Sequence, residues 1–122
     1  MTTELTDRFV TFSSRVIKVV DALPATLSGR RIADQLIRSA MSVGANYEEA
    51  RGADSRADFA HKLQIALKEA REARYWLCLV LEAGLVTTID VAGLVDEATQ
   101  LRAILGKSVA TVRGKAKAAR NP

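Results

Sequence analysis

The sequence predicts an all-α fold, an antiparallel up-down-up-down four-helix bundle. Three observations carry that expectation. Apolar residues recur at three- and four-residue steps along four stretches, the period of one helical face. Strand-like alternation and hairpin dipeptides do not occur in the 122 residues. The stretches are joined by roughly four to seven residues, which favours antiparallel neighbours.

The first helix is expected from about Asp7 to Ala22, with Phe9, Phe12, Val16, Val19 and Leu23 on one stripe. Thr6 or Asp7 can cap it, and Pro24 stops it. The second runs from about Gly29 to Ala50, with Ile32, Leu36, Ala40, Val43 and Tyr47 in line and Ser28 as cap. Gly52 and Asp54 make the next turn. The third starts after Ser55, which is followed three residues later by Asp58 in an approximate capping box. Its seam is Phe59, Leu63, Ala66, Ala70, Ala73, Leu77 and Leu81, and Gly84 suits the left-handed position past its end. The fourth begins near Asp90, and Leu94, Ala98, Leu101, Leu105, Val109 and Val112 line its face. It fades into KAKAARNP, so residues 1–112 read as the bundle and 113–122 as a basic tail.

At 48% hydrophobic with two prolines and seven glycines, the chain is globular rather than disordered. No apolar run approaches the roughly 18 residues of a membrane span, and MTTELTDRF lacks the apolar centre of a secretory signal. One cysteine, Cys78, excludes an intrachain disulfide and fits a reducing, cytoplasmic setting. Residues 1–106 balance at −1, whereas 107–122 carry +5 with no acid. In an up-down-up-down bundle the start of the first helix, the turn at 51–56 and the end of the fourth share one end. Arg8, Arg51, Arg56, Lys107, Arg113, Lys115, Lys117 and Arg120 are therefore expected there, as a surface for nucleic-acid phosphates. The bland reading is a solvated helix end whose cations complement its own dipole. No aromatic residue interleaves these cations, so the expected contact is with the backbone and not with bases.

The middle helices are apolar on more than one face. Ile37 and Met41 lie off the second stripe, and Trp76 and Leu79 off the third. A bundle helix needs one buried stripe. A second one, with a tryptophan in it, predicts burial against another copy of the chain. A di-iron site of the kind that bundles hold needs two Glu-x-x-His motifs. His61 is the single histidine, so neither a metal nor another cofactor is expected. Arg56 and His61 form Arg-x-x-x-x-His, which resembles the active motif of HEPN-type ribonucleases. The histidine would act as acid or base and the arginine on phosphate. That spacing arises often by chance, and a surface histidine beside Lys62 is the plainer account. Cys78, in WLCLVL, reads as a small core residue.

The strongest pattern lies in QLIRSAMSVGANYEEA (35–50) and SRADFAHKLQIALKEAREARYWL (55–77). Gln35, Leu36, Arg38, Ser39, Ala40, Ser42, Val43, Asn46, Glu49, Arg56 and Phe59, continued by Lys68, Glu69, Glu72, Tyr75, Trp76 and Leu77, resemble the ribosomal-RNA intervening-sequence proteins. Ala50 and Tyr47 depart from that pattern, where Gly and Ile are common. The resemblance implies a non-enzymatic four-helix bundle that forms a ring, typically a homopentamer. It also implies a link to structured RNA, since members occur within large-subunit rRNA insertions. Relatives assist the reverse transcriptases of diversity-generating retroelements, which makes a reverse transcriptase an implied partner. A protein-interaction scaffold that binds no nucleic acid is the third class of function. Arg38, Ser42, Asn46, Glu49, Lys68, Glu69 and Glu72 lie on or beside the buried sides, so they are expected to form a register-setting polar network. Arg38 with Glu72 or Glu49 with Lys68 are candidate pairs, whereas an antiparallel turn at 51–55 puts residues whose numbers sum to about 106 at one level, which favours Arg38 near Lys68 and Glu69 and Glu49 near Ala57.

Overall fold

A computed structural model describes residues 3–120; the side chains of Ala119 and Arg120 lie outside the described residues. Four helices follow one another: α1 (Glu4–Ala22), α2 (Leu27–Arg51), α3 (Arg56–Glu82) and α4 (Val91–Arg120). Neighbours in sequence pack together, and α4 closes the bundle against α1. Cross-helix bonds set the direction. Thr6 reaches Glu48 while Ser13 reaches Ala40, and Glu49 meets Lys62 while Arg38 meets Glu69. Rising numbers on one helix meet falling numbers on the next, so adjacent helices are antiparallel.

Each helix starts where a side-chain oxygen can take an orphan backbone N–H. Thr3 accepts from Thr6 N at 3.0 Å, so α1 begins a turn before the expected Thr6 or Asp7 cap. Thr6 is buried and its hydroxyl is used elsewhere. Thr26, not Ser28, caps α2 by accepting from Gly29 N at 3.1 Å. Ser55 caps α3 and Asp90 caps α4 through the N–H groups of Asp58 and Gly93. Leu23, ahead of Pro24, is extended at the end of α1, the conformation proline imposes on its predecessor. Gly84, with φ +63°, closes α3. The N–H of Leu85 reaches Val80 O at 3.1 Å and that of Gly84 reaches Leu81 O at 3.1 Å, the paired bonds of a Schellman end.

The core follows the predicted stripes with one shift. Phe12, Val16, Leu36, Leu63, Leu77, Leu94, Leu101 and Leu105 are fully buried. On α3 the last buried residue is Val80, while Leu81 is 44% exposed. Steps of four and three alternate along the seam from Phe59 to Leu77, so the next inward step is three residues, to Val80, and Leu81 falls outside the seam. Alanines at 66, 70 and 73 keep the middle of α3 thin. The fourth helix does not fade at residue 112 but continues through the basic segment.

Two glycines make opposite predictions. A Cβ on Gly29 would lie 2.0 Å from the Pro24 carbonyl oxygen, whereas one on Gly106 would meet nothing within 4 Å. Urea unfolding should therefore show Gly29→Ala destabilised by roughly 1–3 kcal/mol, because backbone must move. Gly106→Ala should gain about 1 kcal/mol from helix propensity.

Candidate nucleic-acid interface

The α2–α3 seam carries the polar cluster that orients everything around it. Arg38 bridges two turns of α3. Its Nη1 donates to Glu69 Oε2 at 3.0 Å and its Nη2 to Glu72. Glu72 also accepts the indole N–H of Trp76 at 3.1 Å. Glu69 is buried, and Arg38 covers it from the half-exposed rim. Burial pushes the Glu72 carboxyl up. The Trp76 N–H, then the hydrogen bond and charge of Arg38 and the charge of Lys68, outweigh it and leave the pKa below the ordinary 4.5.

Other members of the expected network act differently. Glu49 pairs with Lys62 at 2.9 Å and not with Lys68, because the α2–α3 register brings Lys62 beside it. Ser42 and Asn46 donate to carbonyls one turn back, Arg38 O and Ser42 O, so they bond within α2 and not across the seam. A further cluster escaped the sequence reading. Thr3 donates to Thr6, Thr6 donates to Glu48, and Arg51 donates to both Thr6 and Glu48. The three-residue step from Glu48 to Arg51 was its available signal.

The eight cations expected at one end divide. Arg8 is committed elsewhere. Its Nε and Nη2 hold Glu97 in a fork at 3.1 and 2.7 Å, and Nη2 also reaches Gln100. Glu97 lies sixteen residues before Arg113 on α4, about 24 Å along the axis, so the Arg8–Glu97 pair is far from Arg113, although the first turn of α1 reaches Ile104. Arg51 belongs to the Thr6–Glu48 cluster. Arg56, Lys107, Arg113 and Lys115 are exposed and form no salt bridge among the described residues. They flank grooves along the α3–α4 seam, where Arg56 and Arg113 share one groove and Lys107 and Lys115 another. Lys117 lies one turn further along and is exposed; the side chain of Arg120 lies outside the described residues. The retained patch is thus α3's first turn and α4's last turns.

The nuclease pair does not converge. Five residues along a helix turn a side chain by about 140°. Arg56 lines the α3–α4 groove, while His61 stands exposed around the helix from it. Among the described residues no group of three or more His, Cys, Asp or Glu is placed to hold a metal ion. No helix is long and apolar enough to cross a membrane.

The off-stripe apolar residues are unequally covered. Trp76 and Leu79 are partly buried on their own subunit's core, and Ile37 is half-buried. Met41 is 45% exposed and faces a groove of about 400 Å³ between α1 and α2, shared with Val10 and Ile17. Tyr75, packed edge-on to Trp76, is 60% exposed on α3. Val10 and Tyr75 were not anticipated, because α1's outer face is mostly polar and Tyr75 sits among charges.

Helix order and antiparallel packing define an all-α four-helix bundle. A family model, 23S rRNA-intervening sequence protein, matches residues 2–107, and the chain belongs to that family. A solved structure from Bacteroides thetaiotaomicron VPI-5482 is similar, a protein of unknown function from the S23 ribosomal protein family. It is 32% identical over 86% of this chain and 97% of that one, with a TM-score of 0.74. No curated protein is significantly similar.

The clamp predicts an acid-dependent stability. Since the Glu72 pKa is lowered on folding, its contribution is present above pH 4.5 and is lost as pH falls through the folded value. Glu72→Gln should cost on the order of 1 kcal/mol at pH 7, the scale of a partly exposed ion pair. Urea melts at pH 7 and pH 3 should show that difference shrinking towards zero. A constant difference would mean that the carboxylate's charge is not what stabilises.

Proposed function

We propose that this protein is a non-enzymatic, ring-forming bundle that binds structured RNA by its phosphates, alone or within a ribonucleoprotein. A reverse transcriptase is one candidate protein partner, and the lone thiol Cys78 suits a cytoplasmic setting. One observation carries the reading. Arg8, Arg38, Arg51 and Lys62 are held by carboxylates, whereas Arg56, Lys107, Arg113 and Lys115 lie exposed together on the α3–α4 seam and form no salt bridge among the described residues. Uncompensated cations concentrated at one end are the footprint of a polyanion. The family's link to 23S rRNA makes RNA the natural polyanion.

Two different apolar faces support the ring, Met41 with Val10 and Ile17 on α1–α2 and exposed Tyr75 beside partly buried Leu79 on α3. Joining unlike faces is a heterologous contact, which closes into a ring when the rotation allows. Five subunits is the number the family resemblance implies. A ring repeats the cationic patch, so weak phosphate contacts become avid.

Light scattering coupled to gel filtration should give about five times the 13.2 kDa chain mass; a monomer at micromolar concentration overturns the ring. Anisotropy with a structured RNA should give affinity that falls with salt by roughly 0.7–0.9 log units per phosphate contact. Arg56→Ala with Arg113→Ala should weaken binding and flatten that slope, whereas Arg8→Ala, already held by Glu97, should change neither. Equal loss from Arg8→Ala would move the site away from the α3–α4 end. His61→Ala should leave RNA intact and binding unchanged.

A further inference from the structure

One groove next to the cationic end is not explained by phosphate binding. At its N-terminus, α1 meets α4 through Glu4, Leu5 and Arg8 around Ile104. From Ile104, α4 runs on to Arg120, sixteen residues or about 24 Å, with no α1 residue opposite. The α4 side that faces α1 carries Glu97, Gln100 and Ile104. Ser108, Thr111 and Lys115 continue it at the same three- and four-residue steps. They line a groove whose floor is Phe59, Leu63, Ile104 and Val112. The groove is therefore the α1 seat of the bundle prolonged beyond α1. Its floor is apolar, as a helix–helix seam requires. Its rim holds Lys107 and Lys115, and no carboxylate lines it.

We propose that this open seat is the docking groove for an amphipathic helix of a protein partner, with an apolar stripe flanked by acidic residues. Helix shape follows from the position, since the groove prolongs a helix slot between two helices. Acidic flanks follow from the unpaired lysines on the rim, which would favour such a helix and reject a basic one. An RNA strand fits less well, because the groove's floor offers four apolar side chains where phosphates need donors.

The test uses the intact chain and two labelled helical peptides of Ala and Leu with leucines at i, i+3, i+4 and i+7. One carries glutamates beside the stripe and the other lysines. Anisotropy should show the glutamate peptide binding at least tenfold tighter than the lysine peptide. Ser108→Tyr, which fills the groove, and Thr111→Glu, which reverses its rim, should each weaken the glutamate peptide at least tenfold. Both variants should keep the wild-type circular dichroism and oligomeric mass, and Ser108→Tyr, which leaves the charge unchanged, should keep the RNA affinity. Absent or charge-indifferent peptide binding, or peptide binding untouched by Ser108→Tyr, overturns the proposal. Loss of RNA but not peptide in Ser108→Tyr would assign the groove to RNA instead. Because Arg56→Ala with Arg113→Ala tests the phosphate surface separately, failure of one reading is distinguishable from failure of the other.

Discussion

The α2–α3 pairing is the constraint on which the rest of the molecule depends. Two long helices meet along small and branched residues, with Ala40 and Val43 buried on one and Ala66, Ala70 and Ala73 on the other. A stripe of alanines brings helices close but offers little shape to stop sliding along the axis. Arg38 supplies that stop. It grips Glu69 and Glu72, one turn apart, so a slip of one residue breaks two charged contacts at once. Glu69 is buried and would be left an uncompensated charge, the costly half of such a pair. Trp76 is tied to the same carboxylate, which joins its indole to the clamp.

That register decides which charges remain for other work. Once α2 and α3 are set, Lys62 falls beside Glu49; Arg51 is held by Glu48 on its own helix and by Thr6 on α1. On the other side of the bundle, α1 lies against the first half of α4 and spends Arg8 on Glu97. Lys107, Arg113 and Lys115, further along α4, form no salt bridge among the described residues. Local excess of charge at the α3–α4 end is thus a consequence of helix lengths as much as of composition. The same inequality, 19 residues in α1 against 30 in α4, leaves an apolar seat that no residue of α1 lines.

Several residues show where reading from sequence stops. Thr6 and Asp7 were expected to cap α1, but Thr3 has the same chemistry and takes the cap, while Thr6 is buried against Glu48. At α2 Thr26 likewise takes the place expected of Ser28. Ser42 and Asn46 lie where a cross-helix network was expected, but a carbonyl one turn back is nearer to them than any neighbour helix. Arg8 was assigned to the basic end by topology alone, which ignores how far α1 is offset along α4.

By itself, the sequence determined the class, the four helices, nearly all of the buried stripe and the family. Those depend on periodicity and on local side-chain chemistry, which are written in residue spacing. Tertiary structure alone decided which charges pair, which apolar side chains stay uncovered and where α1 ends against α4. Each of those depends on axial offsets between helices distant in sequence. A shift of one turn, about 5.4 Å, exchanges one partner for another while leaving every stripe intact.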